Sequence, residues 1–210
     1  DFCTPVTYTV STADGAQSQA WTVSASREEV ISKEGLYALD DMIEDELGWT
    51  AIGSRTLNYK NNLYQDITFD FNLNIASKQT GDWPSITFRN QYSGKEFNAK
   101  NNSSYVICIS EGKIEFHRFN NGIRTQFYGP VANVPKVYGN SIECPEFKYG
   151  QNNRVQLSVR NEGNGVRIIL NINGKEIFNA LDNLEGAITA PGYFGKVSPS
   201  VPVVIDKVGK

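Results

Sequence analysis

The amino-acid sequence predicts an all-β protein, a two-sheet antiparallel jelly-roll sandwich, and three observations predict it. From about residue 64 onward, apolar side chains recur on every second position in segments of strand length. Between those segments stand the pairs that hairpins demand, among them Glu111-Gly112, Asn121-Gly122 and Asn173-Gly174. Helical periodicity is nearly absent. The stretch from Glu28 to Leu47 is acidic and broken by Gly35, with Gly48 beyond it, and predicts short turns. The 210 residues suit one sandwich domain spanning 1–210.

Taken in order, strands are expected around Tyr8 to Val10 and Trp21 to Ser24 in the N-terminal region. Asp66 to Ile75 follows with five apolar repeats, placing Thr68, Asp70, Asn72 and Asn74 outward. Ile86 and Phe88 alternate with Ser85, Thr87 and Arg89. Tyr105 to Ile109 comes next, then Lys113 to Phe119, then Ile123 to Tyr128 across the Asn121-Gly122 turn. After a loop from Gly129 to Pro145, Val155, Leu157 and Val159 point one way while Arg154, Gln156, Ser158 and Arg160 point the other. Gly163-Asn164-Gly165 reverses the chain into Val166 to Ile172. Asn173-Gly174 marks a type I′ turn into Lys175 to Phe178, because both central residues of that turn need positive φ. Val201 to Val208 closes the pattern, with Pro202 tolerated near its start.

Composition narrows the partners. The formal net charge is -3, and no run of Lys or Arg forms the basic stripe of a nucleic-acid binder. No apolar stretch approaches the roughly 20 residues needed to span a bilayer, so membrane insertion is not expected. The chain starts at Asp1, which reads as a processed product or an excised module. Cys3, Cys108 and Cys144 lack zinc-site spacing, and one disulfide plus one free thiol is the expected arithmetic in an oxidising compartment. Cys108 lies in an apolar strand and reads as a small hydrophobe, which favours pairing Cys3 with Cys144.

The later strands, in their order, resemble a known group. They run Ile86-Thr87-Phe88-Arg89, Tyr105-Val106-Ile107, Lys113-Ile114-Glu115-Phe116-His117-Arg118 and Arg154 to Val159. Val166 to Ile172 then leads into Asn173-Gly174-Lys175-Glu176-Ile177, and Gly192-Tyr193-Phe194-Gly195 precedes a last strand. This succession, over roughly residues 64 to 208, is similar to concanavalin A-like sandwiches that include fructan-binding carbohydrate modules and keto-disaccharide hydrolase-like domains. The resemblance implies the fold; folds of this kind serve sugar binders, glycanases and lyases alike, so activity must be argued from the site.

A retaining glycanase needs two carboxylates about 5 Å apart, and no strand offers a Glu-x-Asp-x-x-Glu pattern. Asp40 to Glu46 is the densest acidic stretch. It reads as a solvated loop, with a structural calcium site as the second reading; no other metal or cofactor is expected. His117 is the sole histidine, which excludes a multi-histidine metal centre. Glu115 and His117 share a strand face, so an acid/base pair is a minority reading beside a solvated charge pair. No catalytic residue is assigned.

A sugar site combines aromatic platforms with planar hydrogen-bonding groups. Arg89, Glu115, His117 and Arg154 supply the second kind, and Trp83 and Tyr92 bracket the Arg89 strand as platforms, whereas Trp21 and Trp49 read as packing residues. The same polar set also suits an ordinary solvated sheet face. Asn101-Asn102-Ser103-Ser104 holds two overlapping glycosylation sequons. The expectation is a non-catalytic carbohydrate-binding module, monomeric within a larger secreted or cell-surface protein. A glycoside hydrolase or polysaccharide lyase, with Glu115, His117 and Arg89 as candidates, and an adhesive protein-interaction domain are the alternatives.

Overall fold

A computed structural model describes residues 6–23, 29–39, 53–59, 62–77, 84–92, 96–110, 112–126, 142–198 and 201–208. Among these residues there is no helix, and none is long and apolar enough to cross a membrane. In chain order the strands are β1 (Val6–Ser11), β2 (Ser18–Val23), β3 (Val30–Ile31), β4 (Leu36–Ala38), β5 (Gly53–Asn58), β6 (Leu63–Tyr64) and β7 (Ile67–Ile75). β8 (Ser85–Asn90), β9 (Ser104–Ser110), β10 (Lys113–Asn120), β11 (Ile123–Gln126) and β12 (Ile142–Glu143) follow. The last are β13 (Asn153–Glu162), β14 (Gly165–Ile172), β15 (Lys175–Asp182), β16 (Tyr193–Ser198) and β17 (Val203–Asp206).

Two sheets form the jelly-roll sandwich. One runs β11-β10-β9-β8-β16-β5, with β12 sharing the outer edge of β10. The other runs β15-β14-β13-β7-β17, with β4 joining the edge of β7 in parallel. The period-two pattern explains the core between them. Ile67, Phe69, Phe71, Leu73 and Ile75 of β7 face Ile86, Phe88, Tyr105, Ile107, Phe116 and Phe194 from the opposite sheet, and all are buried. Phe88, Tyr105, Phe116 and Phe178 stack through the centre at ring separations of 5.3 to 6.2 Å. Each such side chain contributes about 1.5–3 kcal/mol by leaving water.

The turn chemistry acts as expected. Asn173 and Gly174 take φ of 51° and 83°, and Asn121 and Gly122 take 52° and 79°, the left-handed pair that a type I′ turn requires. Asp70 and Asn72 do face outward from β7, yet they are covered. Arg154 lies over Asp70, and Asn72 donates to the Lys207 carbonyl at 3.0 Å.

Two expectations need correction. Trp21 is 56% exposed, because β1 and β2 pair with each other and with no other described strand, leaving Tyr8, Val10 and Trp21 outside the core. Cys144 carries a free thiol buried in the core, where it packs as a small apolar side chain; it is not disulfide-bonded, and Cys3 lies outside the described residues. Cys108 is also free, as expected.

A polar clasp joins the sheets around residues 183–192, the connection from β15 to β16. Arg118 of β10 places both carboxylate oxygens of Asp182 at 2.8 Å and donates to the Glu185 carbonyl at 2.9 Å. Tyr105 also donates to Asp182 and accepts from the Ile188 amide. Burial of these groups makes their geometry decisive, since an unpaired member would carry its full desolvation cost.

Candidate functional site

The outer face of the seven-stranded sheet carries two straight rows of side chains. Strand register aligns His117, Val106, Thr87, Gly195 and Asn58 across β10, β9, β8, β16 and β5. A second row aligns Glu115, Cys108, Ser85, Val197 and Thr56. Four strand intervals of about 4.8 Å make each row roughly 19 Å long. Gly195 contributes no side chain to the middle of the first row.

Three polar atoms along that first row, His117 Nδ1, Thr87 Oγ1 and Asn58 Nδ2, are buried with no hydrogen-bond partner in the protein. Native interiors pair nearly all such atoms, so three of them in one register row is an unusual concentration, and the His117 and Thr87 side chains of that row are themselves covered. Their neighbours are held firmly. His117 Nε2 and Glu115 Oε2 lie 2.9 Å apart, Ser85 donates to the Cys108 sulfur, and Asn102 donates to Asn90, which donates to Asn58. At the β5 end, Glu96 accepts from the Thr56 amide at 2.8 Å and from its hydroxyl at 3.2 Å.

Burial of the His117 imidazole, which is 3% exposed, lowers its pKa below 6.5, and Arg124 pushes the same way against the opposing pull of Glu115. The ring is therefore neutral at pH 7, able to donate from one nitrogen and accept at the other. Desolvation pushes the thiol of the half-buried Cys108 up to about 12, away from the thiolate form. Exposure increases along β10 toward Glu115, which is half-buried, and Lys113, which is exposed, while Arg124 is exposed at the other end.

Of the residues singled out from sequence, Glu115 and His117 are brought together here. Arg89 is not on this face. It is 2% exposed, and its Nη1 donates to the Thr189 and Ala190 carbonyls at 2.9 Å while Nη2 donates to Asn161 Oδ1 at 3.1 Å. The reason is a β-bulge. Register between β8 and β16 slips between Tyr193 and Gly195, and Arg89 sits there with φ of 51°, so its side chain turns inward and reaches β13 of the other sheet. Gly192 permits this approach, since a Cβ there would lie 2.6 Å from the Arg89 Cα. Strict alternation had placed Arg89 outward.

Arg154 stands on the outer face of the opposite sheet, paired through Nη2 with Asp70 at 2.9 Å, so it cannot line one groove with Glu115 and His117. Tyr92 is exposed on the connection after β8. Trp83, Trp49 and the Asp40 to Glu46 stretch lie outside the described residues, and among the described residues no cluster of acidic, His or Cys side chains suits a metal. Sequence reasoning missed Thr56, Asn58 and Glu96. Residues 56 and 58 alternate in a short segment without clear apolar periodicity, and only the register shows them in line with His117 and Glu115.

No protein-family model and no curated protein sequence matches the chain. Among solved structures, the chain is similar to a carbohydrate-binding module, CBM66 from Bacillus subtilis. That match has a TM-score of 0.45 and 14% identity, covering 75% of this chain and 75% of that one. It is also similar to the alginate lyase Aly36B, with a TM-score of 0.36 and 8% identity over 74% of this chain and 70% of that one. Neither likeness assigns a function to this chain.

Proposed function

We propose that the sandwich is a non-catalytic carbohydrate-binding module that holds a glycan against the outer face of the seven-stranded sheet, within a secreted or cell-surface protein. The observation that carries this reading is the row His117, Thr87 and Asn58, three buried polar atoms in register with no protein partner. Sugars present rows of hydroxyls that both donate and accept, the complement such a row lacks. On this face exposure begins at Glu115, beside His117, while the His117 and Thr87 side chains of the row are covered, so a glycan would approach from the Glu115 end.

The decisive test is Thr87→Val. Valine keeps the shape of threonine and removes a buried hydroxyl that has no partner, so the free protein should become more stable by about 1 kcal/mol. Glycan affinity, measured by calorimetry or affinity electrophoresis against a broad panel, should fall about ten-fold, the loss of one good hydrogen bond. A variant that loses stability and keeps its affinity would sink the reading.

A second reading rests on the 2.9 Å contact between Glu115 and His117: an acid/base pair of a glycoside hydrolase or polysaccharide lyase. Reducing-sugar release or unsaturated product that disappears in Glu115→Gln would support it. The outward rows of the five strands offer one carboxylate, Glu115, where a retaining glycosidase needs two about 5 Å apart, and binding is accordingly preferred.

A further inference from the structure

A cleft of about 380 Å³ opens beside the Gly112 turn, with Pro145, Phe147 and Tyr149 at its apolar side and Lys113, Lys148 and Glu143 around it. From the cleft and its place at the end of the β10 face, we infer that it receives the acidic group of an anionic sugar, so that the glycan held by this module carries carboxylate or sulfate groups. The inference rests on the glycan-binding reading and names the ligand class.

Position supports it first. Lys113 precedes Glu115 by two residues on β10, so both point from the same face and their Cα atoms stand about 7 Å apart. The cleft therefore continues the half-buried Glu115 end of the polar rows. Volume supports it next, since about 380 Å³ lies within the range of small-ligand sites.

Chemistry gives the sign of the charge. Lys113 and Lys148 are exposed, and among the described residues neither ammonium has a hydrogen bond or ion pair. Glu143 lies opposite Lys113 in strand register without forming an ion pair with it. Glu146, the next acidic residue along the chain, is engaged by Lys175. A group entering the cleft meets two available ammoniums and one carboxylate. Tyr149, half-buried and packed edge to face at 5.7 Å on the core residue Phe147, offers an apolar surface for the C–H face of a sugar ring.

The test is calorimetry with the whole chain at low and at physiological salt, using a neutral oligosaccharide, a uronate-bearing oligosaccharide of matched length and a sulfated one. The expected result is binding of at least one acidic ligand about five- to ten-fold more tightly than the neutral one at low salt, with the advantage shrinking as salt rises. Lys113→Gln with Lys148→Gln should lower acidic affinity about ten-fold, leave neutral affinity and Tm unchanged, and abolish the salt dependence. Comparing the uronate and sulfate arms identifies the acidic group. Equal affinity for neutral and acidic ligands, with the lysine variant silent, overturns this inference and leaves the glycan reading standing. Failure of all three ligands and of the broad neutral panel overturns both.

Discussion

Replacing Arg89 with alanine tests whether this side chain holds the sandwich or the ligand. Its guanidinium makes three hydrogen bonds, to the carbonyls of Thr189 and Ala190 and to Asn161, and lies 3.7 Å from Asp66. Bonds to a charged donor contribute about 1.5–3 kcal/mol each. Against them stands desolvation, which outweighs the pull of Asp66 and lowers the pKa from 12.5 to about 10, disfavouring the buried cation by about 3 kcal/mol at neutral pH. The balance is a loss on the order of 3 kcal/mol on truncation, in line with about 3–5 kcal/mol for breaking a buried pair. For a chain of this size the Tm should fall by about 6–12 °C. Arg89→Gly supplies an internal control. Residue 89 has φ of 51°, a conformation that costs a residue with a Cβ about 1 kcal/mol, so the glycine variant should be more stable than the alanine variant by about that amount. Thermal and urea unfolding measure both, and glycan affinity of the folded fraction should stay within about two-fold. A Tm drop below about 2 °C together with a ten-fold loss of binding would refute the reasoning and return Arg89 to the ligand.

Other perturbations probe the same architecture. Asp182→Asn strips the carboxylate from Arg118 and Tyr105 and should cost about 3–5 kcal/mol, read by denaturant unfolding; a loss under about 1 kcal/mol would mean the clasp is dispensable. Lys196 is buried and donates to the Val203 carbonyl, and desolvation lowers its pKa from 10.5 to about 8. The folded state thus binds that proton less well than the unfolded chain: stability should rise between about pH 8 and 10.5, and below about pH 8 the charge costs about 3 kcal/mol. Lys196→Met should raise stability by about 2 kcal/mol at pH 7 and remove that alkaline rise in Tm. The His117 pKa is likewise depressed by burial, so its contribution is present above about pH 6.5 and lost as pH falls toward the folded value. Tm measured from about pH 7 down to about pH 5 should therefore fall more steeply in the wild type than in His117→Gln.

Much of the fold was written in local pattern. Alternation alone located β7 to β10 and β13 to β15, because a strand buried on one face must repeat every two residues, and Asn-Gly pairs placed two hairpins because few residues accept positive φ. The short strands β3, β6 and β12 escaped, having two residues each and thus no period to read. β5 escaped as well, although it supplies Thr56 and Asn58 to the candidate site.

The site itself was legible only in part. Glu115 and His117 were visible as neighbours on one strand face, a relation that the period of two fixes without any tertiary information. Arg89 was misplaced by the same rule, because a bulge interrupts alternation and its position depends on how β16 pairs with β8. Arg154 was grouped with the wrong partners because alternation gives a residue's side of its own strand and says nothing about which sheet that strand joins. The sequence by itself determined strands, turns and the polar or apolar side of each. Only the tertiary structure decided which polar sides share a face, since register across five strands is set by long-range pairing, and with it the alignment of His117, Thr87 and Asn58.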